Sequence, residues 1–146
     1  MKIDVTKLSE DREMLFSEEW DAEEFDLNVP GWMYQGPLGV KAVVKRDSGV
    51  VVAKVSVEAL ARLTCARCFE EFNRPLHKTF KLIYSLDLSK RIIFLDNNIR
   101  EELILDYPQK ILCKEECRGL CLKCGADLNE EKCKCKVQNF KEHQET

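Results

Sequence analysis

The chain has 146 residues, 45% of them hydrophobic and 34% charged, with a net charge of −3. That is enough for one domain with a real core, or for one domain plus a small metal-held appendix. No apolar run approaches the ~18 residues of a membrane span, and the first ten residues hold no signal-peptide pattern. A reducing, cytoplasmic setting is therefore expected, in which close cysteines are metal ligands more often than disulfides. Charge is uneven along the chain. Residues 1–30 carry ten acidic against three basic side chains, whereas residues 31–112 carry thirteen basic against nine acidic. The mildly basic centre permits nucleic-acid binding and does no more.

In the acidic segment, Met14, Phe16 and Trp20 fall at alternate positions around Glu18, which predicts a short half-buried strand. Trp20, Phe25 and Leu27 interrupt the acidic run and point to a strand and turn on the outside of a sheet. A sharper alternative has this segment occupying the basic centre as an anion mimic. Asn28-Val29-Pro30-Gly31 and Gly36-Pro37 both read as turns. Val40, Ala42 and Val44 then mark a strand, and Asp47-Ser48-Gly49 suits a tight hairpin. The β-branched run from Val50 to Thr64 forms the returning strand and delivers Cys65.

Phe72, Leu76, Phe80, Leu82 and Tyr84 all stand at even positions, so a third strand follows, with Pro75 at an edge. A Cys65-Ala66-Arg67-Cys68 turn between antiparallel strands places both sulfurs at one end of the sheet. His77 reads as a rim residue rather than a ligand. Arg91–Leu95 is a further short strand. A helix is expected over about 97–107, capped by Asp96 or Asn98 with Glu101 completing a capping box. Ile99, Leu103 and Tyr107 lie on its core face, Ile104 and Leu105 widen that stripe, and Pro108 ends it. Residues 136–146 read as a polar, frayed tail.

The most specific signal is eight cysteines in four close pairs: Cys65/Cys68, Cys113/Cys117, Cys121/Cys124 and Cys133/Cys135. Two tetrahedral sites need that many thiolates, presented as short pairs. Four pairs combine into two sites in three ways. The preferred one joins Cys121, Cys124, Cys133 and Cys135 locally, leaving Cys65, Cys68, Cys113 and Cys117 as a long-range staple. Gly125 suits the left-handed backbone after its pair. Two structural zinc ions, each held by four cysteines, are expected. The spacings match no ferredoxin pattern, the flanking strands look antiparallel rather than thioredoxin-like, and disulfides need an oxidising compartment. Closed four-cysteine sites leave no open position for catalysis. With only two histidines and no nucleophile motif, neither enzymatic activity nor a small-molecule substrate is expected.

Four stretches resemble the YceD family, the large ribosomal RNA subunit accumulation proteins of bacteria and plastids. They are L-T-C-A-R-C-F at 63–69, I-R-E-E-L-I-L-D-Y-P at 99–108, L-C-K-E-E-C-R-G-L-C-L-K-C-G-A-D-L-N at 112–129 and C-K-C at 133–135. The resemblance implies a non-enzymatic role in accumulation of large-subunit ribosomal RNA and in large-subunit assembly. Some similar proteins keep the first cysteine pair and lack much of the terminal cluster, which implies that the cluster serves stability. The partner is then that RNA itself or, alternatively, a ribosomal or assembly protein bound through the acidic segment or an apolar patch. Arg62, Arg67, Arg74, Lys78, Lys81 and Arg118 are the RNA-contact candidates, provided they share a face.

The expected architecture is α+β: mainly antiparallel β with one helix and a cysteine-rich, zinc-binding C-terminal module. Residues 1–112 form the β-rich domain with its acidic segment, residues 113–136 the module packed on it, and residues 137–146 the tail.

Overall fold

The computed structural model describes residues 1–135, so the expected tail at 137–146 lies outside them. In chain order the elements are β1 (Lys2–Asp4), a 3-10 turn (Val5–Lys7), β2 (Met14–Trp20), β3 (Trp32–Asp47), β4 (Val50–Thr64), β5 (Glu71–Ser85), β6 (Ile92–Phe94) and α1 (Asp96–Leu105). Strands β2 to β5 form one antiparallel sheet in sequence order, and β1 pairs with β6 in a separate two-stranded ribbon. Among the described residues, no helix is long and apolar enough to cross a membrane.

Side chains alternate across a strand, and β4 shows what that does here. Its odd-numbered Val51, Ala53, Val55, Val57, Ala61 and Leu63 are buried, while Lys54, Glu58, Leu60 and Arg62 are exposed. The facing residues of β3, Leu38, Val40, Ala42 and Val44, complete the inner face. Onto it α1 lays Ile99 and Leu103, and the N-terminal segment adds Met1, Ile3, Val5, Leu8, Trp20, Ala22 and Leu27. Burial of each large side chain contributes about 1.5–3 kcal/mol. A second cluster, Trp32, Ala61 and Leu63 with Tyr107 and Ile111, continues the core toward Cys65.

The acidic segment is therefore anchored in the core. Trp20 stacks on Phe25 with ring centroids 4.0 Å apart, and Arg100 donates to the Phe25 carbonyl at 2.7 Å. The segment reaches the opposite, lysine-bearing face of the sheet only as its edge strand β2, through Leu15, Ser17 and Glu19, so it is part of the sheet rather than an anion mimic laid across it.

Two expected turns form as read. Val29 and Trp32 close a turn through reciprocal backbone bonds of 3.0 and 2.9 Å, with Gly31 at φ 81°. The β3–β4 hairpin places Ser48 and Gly49 at φ 45° and 86°, the left-handed pair that a twisted two-residue hairpin requires. Gly36-Pro37 departs from expectation. It does not end a strand but sits in an irregularity of β3, between Gln35 opposite Leu60 and Gly39 opposite Glu58. Proline cannot donate to the ladder, so a bulge accommodates it.

The helix is shorter than expected and lacks the predicted cap. Its N-cap position is Leu95, with no side-chain cap bond. Asp96 instead contacts the Met1 ammonium, and Asn98 accepts from the Tyr84 hydroxyl at 2.8 Å. Both capping candidates are thus spent on tertiary contacts. Leu105 is 80% exposed rather than part of the stripe.

Candidate metal centres

The cysteines meet in two groups of four, Cys65/Cys68/Cys113/Cys117 (site one) and Cys121/Cys124/Cys133/Cys135 (site two). Within each group the sulfurs lie within 4.8 Å of one another. None of the eight is joined in a disulfide.

Both sites are built on the same turn. At site one, Cys65 N–H donates to the Glu70 carbonyl at 2.9 Å and Phe69 N–H to the Cys65 carbonyl at 3.0 Å. At site two, Cys121 N–H donates to Ala126 at 2.8 Å and Gly125 N–H to Cys121 at 2.9 Å. Each turn needs a left-handed residue after its second cysteine: Phe69 at φ 59° in the first and Gly125 at φ 73° in the second. The first turn is simply the β4–β5 connection, so the sheet itself sets the position of Cys65 and Cys68.

The sulfur spacing suits tetrahedral coordination. Metal–sulfur bonds of about 2.3 Å imply sulfur–sulfur edges of about 3.8 Å. Cys65–Cys117 and Cys68–Cys113 are each 3.7 Å apart. Site two is tighter, with Cys121–Cys133 at 3.1 Å and Cys124–Cys133 at 3.5 Å. All of these are far beyond the disulfide bond of about 2.05 Å.

The electrostatics of both sites favour one thiolate and resist the next. Burial acts to raise Cys65, but the amides of Cys68, Cys113 and Arg67 outweigh it and bring the thiol down to about 6. The Cys124 amide, then the Cys133 sulfur and the Lys123 amide, likewise lower Cys121 to about 6. Conversely, burial and then the neighbouring sulfurs push Cys113 up to about 12. The sulfurs of Cys133 and Cys124 do the same to Cys135, also up to about 12. Four thiolates in so small a space need a cation to offset them, and binding one releases protons.

Site one is tied to both parts of the chain. The Arg67 guanidinium donates to the Cys117 carbonyl at 2.8 Å, Ala66 N–H to Ile111 at 2.7 Å and Leu120 N–H to Arg67 at 3.3 Å. Gly119, at φ 76°, passes so close that a Cβ there would stand 3.0 Å from the Arg67 carbonyl. Asn129 then links the sites. Its amide donates to the Cys117 sulfur at 3.4 Å, and its carbonyl accepts from Arg118 N–H at 2.9 Å. Such outer contacts orient a ligating sulfur and lower its charge. Cysteine spacing did not single out Gly119 or Asn129; the only signal was their place in the G-L-C and D-L-N stretches.

The six basic RNA-contact candidates do not share a face. Arg67 is committed to Cys117. Arg74 donates to the Leu112 carbonyl at 3.2 Å and lies 5.1 Å from the Phe72 ring centre. Lys78 is on the inner side, bonded to the Glu102 carbonyl and 3.6 Å from Asp106. Arg118 is exposed on the module, while Arg62 and Lys81 lie on the outer face of the sheet. His77 is 62% exposed and 3.4 Å from Glu58, a rim residue as expected.

The profile of the YceD family, described as large ribosomal RNA subunit accumulation protein YceD, matches residues 53–144, more than half of the chain. The chain belongs to the YceD family. The matched YceD region contains every cysteine of both sites and two of the four sheet strands, β4 in part and β5 wholly. A chloroplastic YCED homolog 1 of Arabidopsis thaliana, named as a large ribosomal RNA subunit accumulation protein, is 42% identical over 43 residues. That stretch is 30% of this chain and 13% of the plant protein's length. No solved structure matches.

Proposed function

We propose that this protein is a non-enzymatic factor supporting accumulation of large-subunit ribosomal RNA, and with it assembly of the large ribosomal subunit. Membership of the YceD family is the observation that carries the reading. In this reading zinc fills both four-cysteine centres. Cys65, Cys68, Cys113 and Cys117 hold one ion and Cys121, Cys124, Cys133 and Cys135 the other. When bound, zinc supplies charge neutralisation and cross-linking, with no open position for chemistry. The sulfur spacing of site one and the paired turns support it.

Depletion of the protein tests the role. The ratio of large- to small-subunit ribosomal RNA, read from sucrose gradients and total RNA, should fall. An unchanged ratio overturns the proposal. An adaptor that binds a ribosomal or assembly protein gives the same fall but yields no large-subunit RNA when the protein is crosslinked in cells.

A further inference from the structure

The outer face of the sheet holds a cluster of cations with no partner of their own. The strand registers build it row by row. One row reads Ser17, Lys41, Ser56, Thr79 across β2 to β5; the next reads Leu15, Val43, Lys54, Lys81; the next adds Lys45, Val52 and Ile83. Lys54 and Lys81 are directly opposite each other, and Lys41 and Lys45 are both diagonal neighbours of Lys54. Directly opposed side chains have Cβ atoms about 4.5–5.5 Å apart, and like charges placed so are destabilising. Among the described residues, none of these four lysines forms an ion pair. Of the acids of that face, Asp47 and Glu71 stand at its two ends, whereas Glu19 and Glu58 lie in the row next to Lys41 and are its diagonal neighbours; Glu58 is engaged with His77.

A sheet that places unpaired lysines side by side is complementary to a polyanion. We propose that this face, centred on Lys41, Lys45, Lys54 and Lys81, grips the phosphate–sugar backbone of RNA. The inference rests on the ribosomal RNA role proposed above. Ammonium groups neutralise phosphate, and the hydroxyls of Ser17, Ser56 and Thr79 are suited to phosphate oxygens and 2′-hydroxyls. The face carries no Phe, Tyr or Trp, and its imidazole, His77, is engaged with Glu58, whereas sheets that read single-stranded bases stack them on several aromatics. Recognition is therefore of backbone, not of sequence. Of the earlier candidates only Lys81 belongs to the cluster, with Arg62 farther along β4.

The test uses the full metal-loaded chain and large-subunit ribosomal RNA transcribed in vitro, with affinity measured across a salt series. A Lys54→Ala/Lys81→Ala variant should bind on the order of tenfold more weakly near physiological salt and reduce the salt slope by about two contacts. Its melting temperature should be unchanged or higher, because a like-charge pair is gone. A Lys7→Ala/Lys90→Ala variant removes equal charge elsewhere and should retain binding. A scrambled RNA of equal length should bind like the native one. Equal losses in both variants, or no loss in the first, overturn the assignment of this face. If the unmodified protein binds no RNA, direct contact falls. The accumulation role is judged separately, by the depletion ratio.

Discussion

Site one draws two sulfurs from the β4–β5 turn and two from a segment 45 to 52 residues later in the chain. Site two takes all four from within the span Cys121 to Cys135. The turns are nearly superimposable in hydrogen bonding, yet Cys65 and Cys117 are 0% and 2% exposed and Cys124 is open to solvent. The same local unit thus serves two purposes. In one place it closes a long loop and finishes the end of the sheet; in the other it folds a short segment. Closing the longer loop removes more entropy from the unfolded chain, and its sulfurs continue the hydrophobic core.

The largest break in that comparison is Cys117→Ser. It should empty site one, strip Asn129 of its sulfur partner and lower the melting temperature by about 10 °C or more, because structural metal binding is folding energy. Gly119→Ala comes next. Its Cβ meets the Arg67 carbonyl at a left-handed φ, and chemical denaturation should show a loss of about 1–3 kcal/mol. Cys124→Ser should release one ion and raise hydrogen exchange in residues 119–135, while the sheet melts within about 2 °C of the parent. A sheet as badly destabilised as by Cys117→Ser contradicts the division of labour. Phe69→Gly is the smallest effect and has the opposite sign. Phe69 occupies the left-handed position that Gly125 fills in the sister turn and is 67% exposed, so relief of its backbone should add about 0.5–1 kcal/mol.

Much of this was legible from local patterns. Alternation in β2 to β5, the Pro30-Gly31 turn, the Ser48-Gly49 hairpin and the four close cysteine pairs all depend on neighbours in sequence, and setting Cys121/Cys124 with Cys133/Cys135 left the distant pairs of site one to each other. What escaped depends on distant partners. β1 is three residues long and gains its meaning only from β6. The helix cap failed because Asp96 and Asn98 were claimed by Met1 and Tyr84. The basic residues were grouped by proximity in sequence, yet strand parity puts Lys78 inside and Lys81 outside. Lys41, Lys45 and Lys54 became a cluster only once the register across three strands was known. Gly119 was legible as a glycine, but its reason, the Arg67 carbonyl, comes from a loop more than fifty positions away.

The central claim is that the same turn is used twice, each time to hold a metal ion. Native mass spectrometry of the purified chain, prepared under reducing conditions without added metal, tests it directly. The account predicts a mass two zinc ions above the polypeptide, falling by one ion in Cys124→Ser and, separately, by one in Cys117→Ser. A metal-free chain, a single ion, or a mass lowered by disulfide formation would contradict it.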